Sequence, residues 1–87
     1  MRKKSRNLGH DKALNERLEA LGVREVLFEL HAIGSSVRVT ALDPRSGTEV
    51  VAVCEAARGE KAMKRMAANK LAYVLEKKKR PNGDILA

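Results

Sequence analysis

RGEKAMKRMAANKLAYVLEKKKR, residues 58–80, is the longest stretch of this chain that follows one clean period. Advanced about 100° per residue from Met63, the side chains of Met63, Met66, Ala67, Leu71 and Val74 fall on one apolar face. Lys61, Arg65, Ala68, Ala72, Glu76 and Lys79 fall opposite, with Lys64 at the border. Glu60 stands in the first turn, where the helix macrodipole favours acid. Pro81 and Asn82-Gly83 stop the run, and Lys77, Lys78, Lys79 and Arg80 place cations on the last turn. The pattern predicts a helix of about five turns, apolar on one side and basic on the other. The rest of the chain has to supply the surface that covers its apolar side.

Going back toward the N-terminus, the period changes from helical to two. Residues 48–54 read as a strand, and Asp43-Pro44-Arg45-Ser46-Gly47 before it is turn chemistry, with Pro pre-setting φ and Gly free to take positive φ. Val37, Val39 and Ala41 alternate with Arg38, Thr40 and Leu42 in a second strand, which should form an antiparallel hairpin with the third. Gly34-Ser35-Ser36 is a tight connection to a first strand, in which Val26, Phe28, Leu30 and Ala32 alternate with Leu27, Glu29, His31 and Ile33. Asp11 reads as an N-cap for a helix carrying Leu14, Leu18 and Leu21, closed by Gly22. The order is helix-strand-strand-strand-helix. That predicts an α+β domain over residues 11–80, an antiparallel three-stranded sheet with both helices on one face. Residues 1–10 lack apolar period and read as a flexible basic arm, and residues 81–87 as a C-terminal tail.

The third strand departs from simple alternation. Val50, Ala52 and Cys54 make one face while Val51 and Val53 make the other, and a two-sided apolar strand wants cover on both sides. With no third helix to provide it, a second copy of the chain is the simplest cover. We therefore expect a homodimer, either through Val51 and Val53 or by strand exchange.

An 87-residue chain is one small domain, and Phe28 and Tyr73 are its aromatic residues. Cys54 is the lone cysteine, so no internal disulfide supports the fold, a usage that suits a reducing cytosol. No segment approaches the roughly 20 apolar residues of a membrane span, and the basic start is followed by no apolar signal region. The expected location is cytoplasmic.

The net charge of +7 is unevenly spread. Residues 1–12 carry +4, residues 13–57 carry −3 and residues 58–87 carry +6. Clustered positive charge of this kind is the footprint of a polyanion partner. Catalysis, by contrast, has little to work with. His10 and His31 are isolated from one another, Ser35 and Ser36 lack a base, and a zinc site wants about four ligands. Gly34 is followed by a strand instead of the helix start that a phosphate-cradling loop requires. We expect no enzyme activity, no metal, no cofactor and no small-molecule substrate.

Two resemblances add to this reading. FELHAIGSSVRVTALDPRSGTEV (residues 28–50) and NKLAYVLEKK (residues 69–78) resemble a small bacterial family defined by a domain of unknown function, over residues 26–78. That resemblance implies a strand-strand-helix unit, with a strand-swapped dimer as one form, and no activity. Leu14-Asn15-Glu16, Phe28-Glu29-Leu30 and the run from Lys61 to Ala72 are similar to the double-stranded-RNA-binding domain, which has the same order of elements. This second resemblance implies that Glu16 reaches a minor groove and that Lys61, Lys64 and Arg65 grip phosphates.

The expected function is a non-enzymatic nucleic-acid-binding module, with structured or duplex RNA favoured over DNA. Its expected contacts are Lys61, Lys64, Arg65 and Glu16 on the helices and Arg2, Lys3, Lys4 and Arg6 in the arm. The alternative is a dimeric protein-interaction module that binds no nucleic acid.

Overall fold

The computed structural model describes residues 2–5 and 11–79. In chain order the elements are strand β1 (Arg2–Ser5), helix α1 (Lys12–Ala20), strands β2 (Leu27–Ile33), β3 (Ser36–Asp43) and β4 (Thr48–Glu55), a 3-10 turn (Ala56–Arg58) and helix α2 (Glu60–Lys79). The strands form one antiparallel sheet in the order β1-β2-β3-β4. The expected helix, three-strand, helix succession is present.

Local chemistry sets each boundary. The Asp11 carboxylate accepts the Leu14 N–H at 3.1 Å, which opens α1. At the other end the Gly22 N–H donates to the Glu19 carbonyl and the Val23 N–H reaches back to the Leu18 carbonyl, both at 2.9 Å. This is a Schellman closure, and its φ of +84° at Gly22 is why glycine stands there. The β3–β4 turn is built on Asp43, which is 1% exposed. Its carboxylate accepts the Arg45 N–H at 3.1 Å and the Ser46 hydroxyl at 2.7 Å.

Both helices pack on one face of the sheet, that of Phe28, Leu30, Val37, Val39, Ala41, Val50 and Cys54. α1 contributes Leu14 and Leu18, and α2 lies across β3 and β4. Phe28 sits at the centre, 1% exposed, and its burial contributes about 2–3 kcal/mol. The other face of the sheet carries no helix. Glu49, Val51, Val53 and Glu55 of β4 point that way, as do Arg38 of β3 and His31 and Ile33 of β2, all of them exposed.

Two sequence expectations need correction. First, the sheet has four strands. Residues 2–5, expected in a flexible arm, pair with β2 as Arg2↔His31, Lys3↔Leu30, Lys4↔Glu29 and Ser5↔Phe28. A polar run shows no apolar period, yet its backbone can still satisfy the free edge of β2. Residues 6–10 and 80–87 lie outside the described residues.

Second, the buried face of α2 is turned by roughly 80° from the expected one. Ala67, Ala68, Leu71 and Ala72 are fully buried, with Met63, Lys64 and Leu75 beside them, whereas Met66 is 41% exposed. Alanine has no atom beyond Cβ, so a face rich in it lets the helix axis approach the sheet more closely than the larger methionine allows. Met66 is left on the flank, where its Sδ accepts from the Cys54 thiol at 3.8 Å.

The sheet side of Val51 and Val53 is open in the single chain, with these valines 39% and 67% exposed.

Candidate nucleic-acid interface

The cations expected at the start of α2 do not form one patch. Lys64 is 9% exposed, its Nζ held at 2.7 Å by Glu60 one turn earlier and lying 5.7 Å from the centre of the Phe28 ring. Its four-carbon stem lines the core, so it closes the edge of the packing instead of meeting solvent. Arg65 is exposed but bound to Asp11, Nε to Oδ2 at 3.0 Å, which ties α2 to the cap of α1. Lys61 is exposed and carries no ion pair among the described residues. Glu16 is exposed on α1. Arg2, Lys3 and Lys4 stand on β1, at the edge of the sheet, and Arg6 lies outside the described residues.

Much of the remaining charge on α2 is used internally. Lys70 donates to the Val51 carbonyl at 2.7 Å, and Lys78 to the Thr48 hydroxyl at 3.1 Å. Lys77 lies 5.3 Å from the centre of the Tyr73 ring. Lys70 caps a backbone group on the free edge of β4, a common way of blunting an edge strand. Arg17 on α1 forks onto Glu76 with Nε and Nη2 each 2.7 Å from an oxygen, while Nη1 reaches Asn69 at 3.2 Å. Donating to the Glu76 carboxylate holds the Arg17 guanidinium above its usual range.

What the fold does bring together lies at one end of the sheet. The Ala56 N–H donates to the Ser35 carbonyl at 2.9 Å, so the β2–β3 turn and the 3-10 turn before α2 form one surface. Arg58 and Lys61 stand on the helix side of that end, both exposed. One residue pair in from the turn's closing pair Ile33↔Ser36 lies Ala32↔Val37, and the next is His31↔Arg38, on the open side and exposed. Arg2 of β1 is in register with His31. Arg58 and Lys61 on one side of the sheet and Arg38 and His31 on the other thus stand at the same end of it, and sequence reasoning missed Arg38, His31 and Arg58. Alternation against Val37 and Val39 marked Arg38 as solvent-facing, but only the ladder puts it opposite His31.

The opposite end of the molecule holds a cleft between the α1–β2 connection and the β3–β4 turn, bounded by Glu19, Arg24, Glu25, Pro44 and Arg45. Arg45 is occupied there, donating to the Leu21 carbonyl at 3.1 Å. Among the described residues no three His, Cys, Asp or Glu side chains are grouped to hold a metal ion, and no helix is long and apolar enough to cross a membrane. Cys54 is a buried free thiol.

No curated protein and no solved structure matches the chain. Residues 23–78 match a family described as a domain of unknown function (DUF6898), a span that runs from the end of the α1 closure through β2, β3, β4 and nearly all of α2. That is well over half of the chain and includes the resemblance seen over residues 26–78, and the protein belongs to this family of domains of unknown function.

Proposed function

We propose that this protein is a non-enzymatic nucleic-acid-binding module that grips the phosphate backbone of structured or duplex RNA in preference to DNA. The observation that carries this reading is the gathering of Arg58 and Lys61 with Arg38 and His31 at one end of the sheet, beside the strand bearing Arg2, Lys3 and Lys4. The contacts move accordingly: Lys61 and the β1 cations remain in the proposed surface, whereas Lys64 and Arg65 are held by acids within the chain. Two helices on one face of an antiparallel sheet is also the layout of the double-stranded-RNA-binding domain, which favours RNA. Duplex targets are favoured over single strands because the open sheet face has no Phe, Tyr or Trp on which bases could stack.

The test is fluorescence anisotropy of the full chain with duplex RNA, duplex DNA and single-stranded probes across a salt series. The expected order is duplex RNA, duplex DNA, single strands, with log affinity falling linearly in log salt. No binding to duplex RNA at low salt sinks the reading.

A second reading, a protein-interaction module dimeric through the sheet, is favoured by one observation. Val51 and Val53 lie exposed on the edge strand β4, with Ile33 at 52% exposure on the same face. Light scattering at micromolar concentration tests it: a dimer that dissociates in Val53→Lys supports it, and a monomer removes it.

A further inference from the structure

His31 and Arg38 are directly opposed in the β2–β3 ladder, both exposed on the side of the sheet that neither helix covers. The same row continues to Arg2 on β1 and to Val53 on β4. Neither His31 nor Arg38 is engaged by an acid among the described residues. We infer that this row is a phosphodiester-binding site on the open face of the sheet, with Arg38 as its fixed charge and His31 as a contact whose charge is completed when nucleic acid binds. The inference rests on the nucleic-acid reading above and extends it from the end of the sheet onto its face.

The geometry suits a polynucleotide backbone. Neighbouring strands lie about 4.8 Å apart, so three positions on three strands span about 10 Å. Along one nucleic-acid strand a charge recurs about every 3.4 Å of axis, so that span meets more than one phosphate. The face offers positive charge but no Phe, Tyr or Trp platform, which fits backbone contact without base readout.

The surroundings of His31 determine how it responds. Across β3 it meets Arg38, and across β1 it is in register with Arg2. Along β2 the same face carries Glu29, itself partnered and in register with Lys4, and the apolar Ile33. Glu55 of β4 stands one row away, opposite Ser36. A phosphodiester placed over the row sets a negative charge beside the imidazole and so favours its protonated form. Complex formation then takes up a proton, and affinity rises toward acid pH.

The experiment uses the full chain and a fluorescent RNA duplex of about 20 base pairs, titrated at pH 6 and pH 8 at fixed ionic strength, for the wild type, His31→Gln, Arg38→Gln and Lys61→Glu. The wild type is expected to bind about fivefold tighter at the lower pH, and His31→Gln to lose that difference while still binding. Arg38→Gln is expected to weaken binding about fivefold and to lower the salt slope by about one. If Lys61→Glu weakens binding while His31→Gln keeps the full pH dependence and Arg38→Gln binds like the wild type, the row is overturned and the nucleic-acid reading stands. If the wild type binds no duplex at either pH, both are overturned.

Discussion

Arg17 and Glu76 stand 59 positions apart in the chain and meet through two 2.7 Å hydrogen bonds, Nε and Nη2 each to one carboxylate oxygen. This fork is the main polar tie between the helices, with Arg65–Asp11 at 3.0 Å as a second tie nearer the start of α2. Bidentate geometry makes it stronger than an ordinary surface pair, but its side chains are 37% and 39% exposed, so solvent screening keeps it modest. Arg17→Met is expected to cost roughly 1 kcal/mol in urea unfolding. The guanidinium is held above its unfolded range, so the pair's contribution is present at neutral pH and is lost as pH rises through the guanidinium's titration. Stability near neutral pH should show no step that disappears in Arg17→Met.

Ala72 is fully buried where α2 meets the sheet. Ala72→Leu adds volume to a face that is close because it is small, and is expected to cost about 1–3 kcal/mol. The same exchange at Met66, 41% exposed, should change stability by less than about 1 kcal/mol. Equal effects at the two positions would mean the buried face of α2 has been misassigned.

Gly22 closes α1 at φ +84°, and a Cβ placed there would lie 2.9 Å from the Arg45 guanidinium. Gly22→Ala is expected to lose about 1–2 kcal/mol, from the left-handed backbone together with displacement of Arg45. Removing the guanidinium in Arg45→Ala/Gly22→Ala relieves only the contact, so the double variant should recover part of the loss and no more. Urea midpoints of the two single variants and the double variant check this.

Lys64 and Lys61 are three residues apart but do different work. Lys64→Met replaces a buried, ion-paired stem by an apolar one and is expected to shift stability by less than about 1 kcal/mol while leaving duplex-RNA affinity within about twofold. Lys61→Glu inverts an exposed charge and is expected to weaken binding about tenfold at low salt with stability unchanged. A loss of binding in Lys64→Met with stability intact would return Lys64 to the interface.

Read alone, the residues from Asp11 to Lys79 determined the order of elements, because each boundary rests on local chemistry. Asp11 caps, Gly22 closes, Asp43 to Gly47 turn, and strand alternation needs only near neighbours. The charge asymmetry was legible for the same reason. The candidate interface was not. Reading the first link as Gly34-Ser35-Ser36 sets the β2–β3 register one residue off, and with a period of two a slip of one changes every opposing pair. The observed link is Gly34-Ser35, which closes Ile33 on Ser36 and so opposes His31 to Arg38. The face of α2 was equally a tertiary decision. A helical wheel weighs residues by hydrophobicity, whereas the sheet selected the side where Ala67, Ala68 and Ala72 allow the closest approach. That rotation carried Lys64 over Phe28, brought Arg65 to Asp11, and left Lys61 as the helix-start cation with no acid partner among the described residues.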